Sequence, residues 1–158
     1  MKLFRSICLG SPFPRSLSLD FGILLIRIAT GVLLCTVFEK FLPREGRWGP
    51  QSWFIADVAK MGFPFPVFFA WCAVLSEFFG GILLALGLLA RPAAFFNAIT
   101  TFGAAFIYHR GDVSGSGLLA TVFFAATMGL TSTGPGRISI DYLIYRFGPS
   151  APTKSEIG

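Results

Sequence analysis

Charge is scarce in this chain and histidine nearly absent. Of 158 residues only 13% are charged, one is histidine and three are cysteine. One histidine rules out a haem iron held between two histidines, and no CxxCH site offers covalent haem attachment. No CxxC pair or His/Cys cluster has zinc spacing, and the Gly80-Gly81 pair sits in an apolar run, so it is no phosphate-cradling loop. The net charge of +5 is scattered, without the clustered basic face of a nucleic-acid binder; it suits membrane orientation and contact with anionic lipid.

What the chain has instead is apolar length. Hydrophobic residues make up 54%, phenylalanine alone numbers 19, and the mean hydropathy is +0.70. Too little polar surface remains to cover a water-soluble domain of this size. Residues 67–89, VFFAWCAVLSEFFGGILLALGLL, form a run of about 23 residues, enough to cross a hydrocarbon slab of about 30 Å. Residues 21–41, 92–108 and 114–130 are also apolar enough to span. The fold class predicted is all-α: an integral membrane antiparallel four-helix bundle.

The flanking segments complete the domain plan. Residues 1–20, interrupted by Pro12, Pro14 and Arg15, read as a cytoplasmic amino tail without a cleavable leader, and the membrane domain covers 21–147. Lys and Arg outside the spans are more numerous on the side holding both termini and Arg91 than on the side holding Lys40, Arg44, Arg47, Lys60 and Arg110, which puts both termini inside. Within the first outer loop QSWFIADVAKM carries Trp53, Phe54, Val58 and Met61 on one helical face. It reads as a short interfacial helix, with Trp48 and Trp53 at headgroup level. After Gly134-Pro135-Gly136 breaks the fourth span, residues 139–147 form a second interfacial helix; residues 148–158 read as a flexible tail.

The residues out of keeping with lipid are the candidate site. Glu77 falls within the most apolar run, where a charge costs roughly 2.5 to 3.5 kcal/mol, so it should face the interior, be protonated or hold a cation. With spans that start at the same boundary, Arg27 lies about 9 Å and Glu77 about 18 Å above the inner surface, close enough for an arginine stem to bridge. Such a pair either serves function or fixes helix register. Lys40, Glu39 and His109 form a second polar group at the outer helix ends, beside Arg110 and Asp112, where His109 could shuttle protons. Arg91 closes the polar face of the second span, and Asn97, Thr101, Ala104 and Ala105 line that of the third. Cys35 and Cys72 read chiefly as small buried hydrophobes, with a redox pair as the minor alternative, and Cys8 as a reduced thiol.

The stretch MGFPFPVFFAWCAVLSEFFGGILLALGLLARPAAFFNAITTFGAAFIYHRGD, with its Glu, Gly-Gly, Leu-Gly-Leu, Arg-Pro-Ala-Ala and following His, resembles the central signature of the DoxX family. Arg27 with Gly31, Lys40 and the GPGRISID tail are similar to it too, so the likeness covers residues 20–145. The resemblance implies a four-helix protein of the bacterial cytoplasmic (inner) membrane associated with quinone-linked or sulfur-linked redox systems, with Arg27, Lys40, Glu77, Arg91 and His109 at the family's polar positions. A quinone is then the expected ligand, no cofactor or self-contained catalytic centre being encoded. Membrane lipid, redox-enzyme subunits and a homo-oligomer are the expected partners. An accessory or assembly subunit of a redox system is the leading reading; a purely structural scaffold and a small-solute transporter are the alternatives.

Overall fold

The computed structural model describes residues 17–36, 40, 49–112 and 114–147. The expected amino tail up to residue 16, the tail from 148, Cys8, Glu39 and Trp48, and half of the basic residues that set the orientation, lie outside the described residues. All described regular structure is helical: α1 (Leu17–Cys35), α2 (Ser52–Lys60), α3 (Pro66–Leu86), α4 (Ala90–Phe102), a π-helical segment (Gly103–Tyr108), α5 (Gly115–Thr133) and α6 (Ile140–Phe147). α1, α3 and α5 are long and apolar enough to cross a membrane. α1 packs on α3, α3 on α4 and α4 on α5, while α5 also touches α1 and α2 lies on α3.

Helix ends follow from local chemistry. Pro66 opens α3 at a first-turn position where its missing N–H is not needed, and Gly87, in the left-handed region at φ 68°, stops it. Leu88 and Leu89 therefore belong to a turn, although their apolarity alone reads as helix. α4 begins at Ala90, two residues earlier than the span read from hydropathy. Its leading N–H groups have no side-chain cap from Leu89. They are instead met from a distance: Asp141 of α6 accepts hydrogen bonds from Leu89 N (2.8 Å) and Ala90 N (3.0 Å). An acidic side chain is favourable there because unpaired N–H groups and the helix dipole both point at it.

The α1–α3 crossing depends on glycine. A Cβ at Gly31 would come 2.5 Å from Gly81 O and 2.8 Å from Ala85 N, both backbone atoms of α3. With no hydrophobic gain available between helices in lipid, such close backbone approach is the main source of attraction. Phenylalanine and leucine fill the outside: Phe79, Phe95, Phe96, Phe102, Leu118 and Leu119 are all exposed. The interior is small and mixed, with Leu34, Leu84, Ala94 and Leu130 beside Arg27, Glu77, Asn97 and Asp141.

Candidate functional site

Glu77 occupies the middle of α3 and is buried. Its partner is Lys40, whose Nζ lies 3.0 Å from Glu77 Oε2. Lys40 is itself placed by two contacts with the segment that follows: its carbonyl accepts a hydrogen bond from Gln51 N (3.0 Å), and its ammonium sits 4.8 Å from the centre of the Phe54 ring on α2. The carboxylate is thereby compensated in a region where an unpaired charge would be costly, and the lysine remains the more accessible member, at 25% against 8% side-chain exposure. α2 covers the pair.

The expected Arg27–Glu77 pair does not form. Antiparallel register sets Arg27 against Gly87, with Gly31 against Gly81 and Ala85 and Cys35 Sγ against Phe78 O (3.7 Å). Gly87 is ten residues from Glu77, about 15 Å along the helix. Equal starting depth for the two helices was the faulty premise: α1 begins at Leu17 and its first turns extend past the end of α3, against the 134–141 segment. There the Arg27 guanidinium donates to Pro135 O and to Ile138 O (2.8 Å), and Asp20 Oδ1 accepts from Arg137 N (3.1 Å). Asp141 N also donates to Gly87 O (2.9 Å). Burial pushes the Asp141 carboxyl above the usual range, opposed by the Ala90 and Leu89 N–H groups and by the Arg27 charge. Arg91 lies at the same end, against Gly134.

The five residues singled out from the sequence thus fall in three places. Lys40 and Glu77 meet; Arg27 and Arg91 flank the knot around Asp141. His109 stands apart, its ring packed edge-on to Tyr108 (4.9 Å between centroids), and among the described residues no hydrogen bond or ion pair joins it to Lys40. Asp112, nearby, is held below the usual carboxylate range chiefly by hydrogen bonds from Ser114, so it is not a base matched to neutral pH. Cys35 and Cys72 are free thiols, the second exposed. Among the described residues no group of three or more His, Cys, Asp or Glu side chains is placed to hold a metal ion.

Two further features go beyond the sequence reading, which placed Asn97 only on the polar face of its span. On α4, Asn97 donates through Nδ2 to Ala93 O (2.9 Å) and rests against Gly80, one turn from Glu77, while its buried Oδ1 has no hydrogen-bond partner among the described residues. One turn nearer the α2 side, Ser76 Oγ and Thr100 Oγ1 are 3.3 Å apart. The second feature ties α2 down. Asp57 accepts hydrogen bonds from Lys60 Nζ (2.8 Å) and from Tyr108 Oη at the end of the π-helical segment (3.1 Å). An Asp-x-x-Lys spacing gives the first of these away, but nothing local points to Tyr108.

The Asp57 carboxyl is pulled below its ordinary range, first by the Lys60 hydrogen bond and then by Tyr108. A carboxyl lowered in the folded state contributes stability above its unfolded value near 3.9, and that contribution is lost as pH falls through the folded value. Tyr108→Phe should therefore raise hydrogen exchange across residues 52–60 at neutral pH, modestly, since one exposed hydrogen bond is worth at most about 1 kcal/mol. The same segment in the unmodified protein should loosen below roughly pH 4. Exchange mass spectrometry reads both, and unchanged protection in Tyr108→Phe would remove the tie from the account.

Apolar helices of spanning length, a compensated carboxylate in the middle of one and a phenylalanine-rich exterior define a small helical integral membrane protein. The chain belongs to the DoxX family, whose profile matches residues 22–110. It is similar to two proteins of Escherichia coli (strain K12). Inner membrane protein YqjF is 32% identical over 129 residues, covering 79% of this chain and 93% of the relative. Inner membrane protein YphA is 33% identical over 135 residues, covering 77% and 94%. No solved structure matches the chain.

Proposed function

We infer that the protein is a four-crossing subunit of the bacterial inner membrane, both termini cytoplasmic, that receives the polar head of a quinone-like ligand at Lys40 and Glu77 and serves a partner redox enzyme. The fourth crossing is supplied by α4 and its π-helical continuation. From Ala90 to Tyr108 the helical path is roughly 28 Å, near the thickness of the hydrocarbon layer. π-helical turns are found disproportionately at functional sites, and this one is tied to α2, whose Phe54 lies against Lys40. Inner-membrane residence is supported by the names of both relatives and by the three apolar helices.

One observation carries the ligand reading: a buried carboxylate in mid-helix whose ammonium partner is partly accessible and stacked on an aromatic ring. Lys40 can donate a hydrogen bond to a ring carbonyl, Glu77 can accept the proton of a ring hydroxyl, and Phe54 offers a flat apolar surface beside them. Asn97 Oδ1 provides a further buried acceptor one turn away. Electrons would pass to and from the partner, since the chain encodes no redox centre of its own.

Mass spectrometry of quinones retained after mild extraction tests this. The unmodified protein should hold a quinone, and Glu77→Gln should insert normally yet retain it at least about tenfold less, the worth of one charged hydrogen bond. Equal retention by both would sink the ligand site. Complete absence of quinone from the unmodified protein would favour the second reading, an assembly scaffold. That reading has its own support in Arg27, whose guanidinium is committed to the carbonyls of Pro135 and Ile138 as a register-fixing tie.

A further inference from the structure

α6 is eight residues long, IDYLIYRF, and its sides differ sharply. Asp141 is turned fully inward and buried, pinned to Gly87, Leu89 and Ala90. Gly87 and Leu89 belong to the turn between α3 and α4, and Ala90 opens α4. That turn marks where the apolar length of α3 ends, so α6 lies along the edge of the membrane-crossing body. The preceding turn is fixed as well, through Arg27 and Asp20. With its depth and rotation thus set, the helix leaves Leu143, Ile144 and Phe147 exposed, Phe147 to 72%. They sit at i, i+1 and i+4 and share one side.

An exposed arginine stands at each end of this element: Arg137 just before it and Arg146 in its last turn. The Arg146 guanidinium carbon lies 5.5 Å from the centre of the Phe147 ring, so charge and apolar surface are adjacent. Leu17 and Phe21, in the first turns of α1 beside Asp20, which holds Arg137 N, are exposed at this end of the molecule too. Apolar side chains facing sideways at the membrane boundary, flanked by guanidinium groups, match one kind of surface: acyl chains beneath anionic phosphate.

We propose that α6, with Arg137 and Arg146, is an anionic-phospholipid site, in which the two arginines hold headgroup phosphate while Leu143, Ile144 and Phe147 lie against the acyl chains. Arginine's planar fork is suited to phosphate oxygens, and a basic side chain at a lipid surface contributes a preference of roughly fivefold for anionic over zwitterionic lipid. The site is independent of any ligand at Glu77.

The test uses the full chain in vesicles of mixed phosphatidylglycerol and phosphatidylcholine, with Phe147→Trp as the reporter. The difference between its emission and that of the unmodified protein isolates residue 147. Brominated phosphatidylglycerol should quench this signal more strongly than brominated phosphatidylcholine. The ratio should drop roughly fivefold in Arg137→Gln and again in Arg146→Gln, and survive in the two lysine substitutions. Equal quenching by the two lipids, or a ratio indifferent to both glutamine substitutions, overturns the proposal. So does a residue 147 quenched by neither lipid, which would mean water, a second copy or another protein covers that face.

Discussion

Replacing Arg27 with methionine should loosen the far end of the chain while leaving the protein in the membrane. The substitution keeps an unbranched, flexible stem and removes the guanidinium with its donors. Pro135 O and Ile138 O then lose the guanidinium, and the buried Asp141 loses its nearby positive charge. Each stranded carbonyl costs about 1 to 3 kcal/mol, so a loss of about 3 kcal/mol is expected for the pair. Thermal unfolding in detergent should shift downward, and residues 134–147 should become sensitive to added protease and gain hydrogen exchange. Arg27→Lys should fall between the two, because one ammonium holds its charge but not the fork that reaches two carbonyls. A methionine variant with unmodified melting and a protected tail would mean the tie has no energetic weight.

A larger loss is expected from Gly31→Leu. The new side chain meets Gly81 O and Ala85 N, which cannot swing aside as a flexible side chain would, so α1 and α3 must separate. Overpacking typically costs 1 to 3 kcal/mol when neighbours can adjust, and about 3 kcal/mol or more is expected where the neighbour is helix backbone. Separation also draws Lys40 from Glu77, since the lysine follows Cys35, the last residue of α1, by five positions in the chain. The variant should therefore lose detergent stability and, if Lys40 and Glu77 hold the quinone proposed above, its retention, whereas Gly22→Leu, at a position with nothing within 4 Å of the added carbon, should lose neither. Paired melting and retention measurements separate these outcomes; a Gly31→Leu protein as stable as the Gly22 variant would contradict the close crossing.

The apolar runs made the membrane class and the helical segments legible, because lipid imposes a uniform demand that composition alone reveals. The carboxylate in the second run was equally plain. Register was not. Depths measured from a common boundary placed Arg27 beside Glu77, but the first turns of α1 have their own partners in the 134–141 segment, and those set how far α1 slides past α3. Such contacts join residues more than a hundred positions apart and leave no periodic trace. Lys40 was read with Glu39 and His109 at the outer helix ends; its pairing with Glu77 depends instead on the return of Gln51 and Phe54 to its side. Asp141 drew no notice in the sequence: it stands in the first turn of its own helix and serves another helix instead.

That service has a bearing on how the protein is made. The opening turn of α4 stays bare until a residue 51 positions downstream arrives, and Arg27 must wait for carbonyls 108 and 111 positions away. During synthesis the early spans enter the bilayer with a charge and a set of backbone donors still unmatched. The 134–141 segment answers both, so the early spans are completed only by residues made well after them, and nascent chains short of that segment carry the polarity unmet.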